Sequence, residues 1–147
     1  MSPTERFAVA AFVAGLHGDK QAASFYATPL ASQDGLSAAI AGEAASGAVQ
    51  GPYGAYPSAA LASENTAGPV HHVAGPNRAT LGPKLSAALE HVHMLVFRPR
   101  EASAQALQTL LDAGWSTTGI VTLSQLVAFL SFQLRVVAGL RVLAATA

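Results

Sequence analysis

A chain of 147 residues suits one domain with a hydrophobic core of its own. Its net charge is zero and only 11% of its residues are charged, so no basic cluster exists to neutralise a nucleic-acid backbone. It has no cysteine, which excludes disulfides, thiolate metal sites and cysteine nucleophiles.

An ordinary globular chain carries about 25% charged residues, and this one is 51% hydrophobic. Part of that excess is alanine. The rest points to an oligomer, whose subunits hide apolar surface from water. The opening Met1-Ser2-Pro3-Thr4-Glu5-Arg6 lacks the basic stretch and apolar run of a signal peptide, and a cytoplasmic location is expected.

Ser2-Pro3-Thr4-Glu5 predicts a helix start: Ser2 caps, Pro3 suits the first turn, and Glu5 completes a capping box. Apolar residues then recur at Phe7, Val9, Phe12, Val13 and Leu16, and Gly18 ends the helix. Asp19 predicts the cap of a short second helix carrying Phe25 and Tyr26 and stopping before Pro29. Asp34 or Ser37 opens a third, through Ile40 to about Ala45. From 46 to 83, repeated Gly and Pro predict an irregular arm across the chain's own core or a neighbouring subunit, anchored by Tyr53, Tyr56 and Leu61.

Helical spacing resumes near Pro83 with Leu85, Leu89, Val92, Leu95 and Val96, and runs to Arg98-Pro99. Ser103 predicts the cap of the next helix, with Leu107, Leu110 and Leu111 on one face. Gly114 and Trp115 close it as a Schellman ending. Ser116 or Thr117 opens the last helix, to about Leu143. Ile120–Leu143 is apolar enough to suggest a membrane span, but it holds Arg135 and Arg141, each costing roughly 2.5–3.5 kcal/mol near a bilayer centre. A helix buried in a soluble assembly is the expectation, without membrane or nucleic-acid partners. No strand alternation stands out, and the predicted class is all-α in a single domain, residues 1–147.

Leu110-Leu111-Asp112-Ala113-Gly114-Trp115-Ser116, then Ile120, then Leu126 through Arg135, resembles the final helix pair of AhpD-like proteins of the carboxymuconolactone decarboxylase (CMD) superfamily. Those proteins often read L-x-x-A-G-[FW]-S, a short polar link, then A-F-[FLN]-x-F-x-x-R. Glu5-Arg6 through Ala14-Gly15-Leu16 is similar to the family's first core helix. Gly51-Pro52-Tyr53-Gly54 and Glu90-His91-Val92-His93 look more like a divergent, peroxidase-related branch. The resemblance implies an AhpD-like helical bundle that forms trimers or hexamers.

Peroxidatic members carry a relay glutamate, then Cys-x-x-Cys, then a His four residues after the second Cys. One thiolate attacks the peroxide, the other thiol resolves it, and Glu and His relay protons. Carried onto this chain, the cysteine positions hold Asp19 and Ala22, the His position holds Tyr26, and the relay glutamate falls near Phe7. The expectation is therefore a paralogue without thiol peroxidase activity. It keeps the helical core and assembles with itself or with a cysteine-bearing AhpD-like relative. The alternative is a cofactor-independent decarboxylase or other acid/base enzyme on a small organic acid, with His17, Tyr26, His91 and His93 as candidate acid/base groups and Arg135 for a carboxylate. A peroxidase-related oxidoreductase remains a reading by fold alone.

No cofactor or metal is expected. His91 and His93 are two apart on a helix and point apart, so a shared metal is disfavoured. Ordinary hydrogen-bonded histidines are the simpler account of both. His71-His72 reads as exposed loop residues without a third ligand nearby. Arg135 on an apolar helix reads first as a structural Arg paired with a carboxylate or with helix-end carbonyls, and second as an anion-binding group in a pocket.

Overall fold

The computed structural model describes residues 1–146, and among them the fold is all-α, with no strand beyond one isolated bridge between Gly54 and Thr66. Helix α1 (Pro3–Leu16) starts as predicted: the Ser2 hydroxyl accepts from the Glu5 N–H at 3.2 Å, and the Glu5 carboxylate accepts from the Ser2 N–H at 2.7 Å. Every residue from Ala8 to Ala14 is buried, because α2 (Lys20–Ala27), α3 (Leu36–Gly47), α4 (Gly75–Phe97) and α6 (Thr117–Thr146) all pack on it. Small residues allow that crowding. A Cβ at Gly15 would stand 2.6 Å from the Ala44 Cβ, so α1 and α3 cross at nearly backbone contact.

Asp19 caps α2 as predicted, and α2 passes into a 3₁₀ turn, Thr28–Leu30, at Pro29. Neither Asp34 nor Ser37 opens α3. Gly35 does, at φ 69°, a left-handed conformation that residues with a Cβ rarely adopt. The irregular arm is shorter than 46–83. Helix α3 runs on to Gly47 and α4 begins at Gly75, with Pro76 in its first turn where no N–H is needed. A helical stretch does resume at Pro83 as expected, but a shorter one precedes it from Gly75, and the two join across a break at Gly82, φ 72°, ψ 167°.

The arm lies across the chain's own bundle. The Tyr53 N–H donates to the Phe97 carbonyl at 2.6 Å. The Arg100 guanidinium stacks 3.7 Å from the Tyr56 ring and donates to the Tyr56 hydroxyl at 2.6 Å. Leu61 is exposed and anchors nothing, because the 3₁₀ turn Ala59–Glu64 has no buried residue.

Ser103 caps α5 (Ala104–Asp112), accepting from the Ala106 N–H at 3.2 Å. The predicted Schellman ending follows. The Gly114 N–H reaches the Leu111 carbonyl at 2.9 Å and the Trp115 N–H the Leu110 carbonyl at 3.0 Å, with Gly114 at φ 93°. Of the α5 leucines only Leu110 is buried; Leu107 and Leu111 face outward. Helix α6 buries one narrow stripe, Ile120, Leu123, Val127, Leu130, Ser131 and Leu134 among it. Its mean hydropathy reaches 1.7, long and apolar enough to cross a membrane by length and composition, yet only 17% of that stretch is buried within this chain. From Arg135 to Thr146 every residue is exposed.

Candidate functional site

The corner between α1 and α2 gathers most of the chemistry expected of the sequence. Asp19 Oδ1 accepts from the Ala22 N–H at 3.0 Å, closing the cap, and Oδ2 accepts from Arg141 Nη1 of α6 at 2.8 Å. The capping N–H, joined by Arg141, holds the Asp19 carboxyl below the ordinary carboxylate range. Arg141 Nη2 also reaches Gln21 Oε1 at 3.3 Å. Asp19, Ala22 and Tyr26 line one open groove of about 540 Å³ between α2 and α6, with Phe25, Gln133 and Arg141 on its other walls. The three positions that the resemblance assigns to redox chemistry therefore converge. None of them can replace a thiolate: Asp19 is engaged as a cap and ion-pair partner, Ala22 has no functional group, and Tyr26 packs edge-on against Phe25 at 5.2 Å.

A smaller cavity of about 170 Å³ next to this groove brings His17 and Arg135 together, again beside Asp19 and Arg141. His17 Nδ1 donates to the Val13 carbonyl at 2.9 Å. Burial pushes His17 below the ordinary imidazole value, and the Arg135 charge adds to that against the Val13 bond. Arg135 itself is not the structural arginine expected. Among the described residues it makes no ion pair and no hydrogen bond, because Asp19, the carboxylate of the shared cavity, is already engaged by the Ala22 N–H and by Arg141.

His91 and His93 part as their spacing demands. His91 lines a shallow cavity of about 240 Å³ with His72, Glu90 and Arg98, and burial lowers its proton affinity. His93 faces the interior, where its Nε2 donates to the Gly47 carbonyl at 2.9 Å and its ring stacks on His71 with centroids 5.0 Å apart. Burial holds His93 down at about 4, with the nearby His71 and Arg98 acting in the same direction and the Gly47 bond opposing.

His71 departs from the expected exposed loop, although its neighbour His72 does lie in solvent with 76% of its side chain exposed. The arm folds His71 back under itself, and its Nε2 stands 3.0 Å from Oε2 of Glu43, a carboxylate only 1% exposed. The other Glu43 oxygen accepts from the Ala74 N–H at 3.1 Å and from Asn77 Nδ2 at 2.7 Å. Among the described residues no three His, Asp or Glu side chains are arranged to hold a metal ion.

Sequence reasoning missed Glu43, His71 as a buried partner, and Arg141 as the clamp on Asp19. Glu43 left one signal, a lone acid in the small-residue run Ala41-Gly42-Glu43-Ala44-Ala45. Arg141 left none, because its partner lies across the whole chain. No family model, no curated protein and no solved structure matches this chain, so the reading of the site rests on its own residues.

Proposed function

We propose that the chain is a cysteine-free protein of the AhpD-like, CMD type that serves as an assembly subunit and not as a thiol peroxidase. One observation carries the reading. Helix α6 presents an apolar ridge of Phe129, Phe132, Val136, Leu140 and Leu143, each at least 42% exposed. Phe129, Val136 and Leu143 repeat every seven residues, the spacing of a helix seam that packs on another helix. Exposed aromatic and aliphatic side chains in a continuous stripe mark an interaction surface. A second copy of the chain is the favoured cover; a cysteine-bearing AhpD-like relative is the other candidate.

Native mass spectrometry in detergent-free buffer tests the reading. The expected result is one discrete oligomer, a trimer or hexamer by the resemblance, that Phe132→Asp dissociates into folded monomers. A monomer at all concentrations overturns it, as does recovery of the protein only in the membrane fraction of cells, which would also overturn the cytoplasmic location we propose. The same preparation should not turn over a hydroperoxide with a dithiol reductant.

The convergence of His17 and Arg135 on one cavity favours a second reading, an acid/base enzyme on a small organic acid that needs no cofactor. Burial lowers the proton affinity of His17 and its Nε2 carries no hydrogen bond, and Arg135 is free to hold a carboxylate. Tyr26 lies on the adjoining groove, whereas His91 and His93 lie elsewhere and are not part of this arrangement. Proton–deuterium exchange at the α-carbon of small carboxylic acids, lost in His17→Gln, is the result that would raise this reading above the first.

A further inference from the structure

Between α6, the C-terminal end of α4 and the start of the arm lies a groove of about 930 Å³. Its walls are apolar: Pro52 from the arm, Val96 from α4, and Val127, Phe132 and Val136 from α6. Its polar groups are few. Arg135 stands at the groove without a partner among the described residues, and no Asp or Glu lines it. Ser131 lies one turn earlier on the same helix. Its hydroxyl is buried and has no hydrogen-bond partner, whereas Ser124, also on the groove, is satisfied by the Ile120 carbonyl at 3.0 Å.

Each of these features restricts the occupant. An unpaired guanidinium asks for an anion. A buried hydroxyl without a partner costs about 1–3 kcal/mol until something accepts or donates to it. With one cation and no second basic residue on the lining, a singly charged group fits better than a phosphate. The apolar walls ask for a hydrocarbon or aryl body, and the size lies in the range of about 300–1,000 Å³ usual for small-molecule sites. We propose that this groove binds an apolar monocarboxylate, its carboxylate on Arg135 and the Ser131 hydroxyl, its body along Pro52, Val96 and Val127. Phe132 and Val136 belong both to this groove and to the α6 ridge, so a second copy seated on the ridge would form part of its rim.

Titration calorimetry with decanoate below its micelle concentration tests the site, with decanol and decylammonium as controls. Decanoate should bind the wild-type protein at one per subunit, and Arg135→Gln should weaken it about ten- to hundredfold, the range for losing a hydrogen bond to a charged group. Arg135→Lys should restore part of the loss, and Ser131→Ala should weaken binding by a few-fold. Ala128→Trp, at an exposed position on the groove, should abolish binding while leaving the helical signal intact. Decanol binding should be indifferent to Arg135→Gln. Equal affinity of decanoate for the wild type and Arg135→Gln would overturn the proposal. So would decylammonium binding as tightly as decanoate, or an Ala128→Trp protein that still takes up the acid, since either outcome would mean simple adsorption to the α6 ridge.

Discussion

The centre between α3, α4 and the arm and the flank of α6 at Arg135 differ in how many partners they give their charged side chains. Inside, between α3, α4 and the arm, Glu43 Oε1 is met by the Ala74 N–H and the Asn77 amide, the His71 ring stands 3.0 Å from Oε2 without hydrogen-bond geometry, and His93 Nε2 is met by the Gly47 carbonyl. On α6, Arg135 and the Ser131 hydroxyl meet nothing among the described residues. A buried polar group without a partner is costly, and the interior carries some of that cost too: the Ser86 hydroxyl and His93 Nδ1 lack a hydrogen bond as the Ser131 hydroxyl does. A partly exposed guanidinium pays little for being alone, and it stays ready for a ligand. The Glu43 centre joins α3 to the end of the arm and the start of α4, and the α6 flank is where the proposed carboxylate would bind.

The largest effect should come from breaking the interior centre. Glu43→Ala removes the one acceptor shared by the arm backbone and Asn77, and leaves His71 without its carboxylate. Loss of one partner of a buried pair costs about 3–5 kcal/mol. Urea denaturation should show a loss of that size, with Glu43→Gln intermediate because its amide oxygen can still accept from Ala74 and Asn77. A loss under about 1 kcal/mol would erase the difference between the two regions.

Acid should act on the same centre through His93. Its folded value of about 4 lies below the unfolded value of about 6.5. Between the two, the unfolded chain binds a proton that the folded chain refuses, so stability falls as pH drops from about 6.5 to about 4 and loses nothing further from this group below that. The decline attributable to His93 is about 3 kcal/mol. It should be read as the difference in pH slope between the wild type and His93→Gln, and identical slopes would mean that the ring is not held neutral by burial.

Much of the helical frame is legible in the sequence, because its signals are local. The Ser2–Glu5 capping box, the Asp19 and Ser103 caps and the Gly114–Trp115 ending each need only a few adjacent residues, and each forms as expected. What escapes is what depends on distant partners. The Gly/Pro run beyond Gly75 reads as punctuation, yet Pro76 is compatible with a first turn and Gly82 absorbs Pro83. His71 reads as a loop residue because nothing near it in the chain announces Glu43. Arg135 reads as structural because a mostly apolar helix is expected to be buried, whereas α6 buries only a stripe.

A smaller effect tests the crossing on which the interior depends. Gly15→Ala would place a methyl 2.6 Å from the Ala44 Cβ, with a backbone behind each of them. Neither side can move like the tip of a long side chain, so α1 and α3 must separate. Overpacking of this kind costs about 1–3 kcal/mol, less any gain from the better helix propensity of alanine. Thermal denaturation should show the variant less stable, and Gly15→Ala combined with Ala44→Gly should recover most of the loss, because the second change removes the clashing methyl.

The smallest effect is expected at Arg135, and it is the sharpest test of the contrast. If Arg135 supported the fold, Arg135→Gln would cost as much as loss of a buried ion pair. Arg98 provides the calibration on the interior side: it is 7% exposed and bonded to Glu101, so Arg98→Gln should destabilise by more than about 1 kcal/mol. Arg135→Gln touches an exposed side chain without a partner, so its stability should fall within about 0.5 kcal/mol of the wild type. Removing a positive charge beside His17 should also let that ring protonate more readily, since the Arg135 charge opposes its protonation. An upward move of the His17 titration in NMR at unchanged stability would place Arg135 at a recognition site, in electrostatic contact with the α1–α2 corner and without a load in the fold.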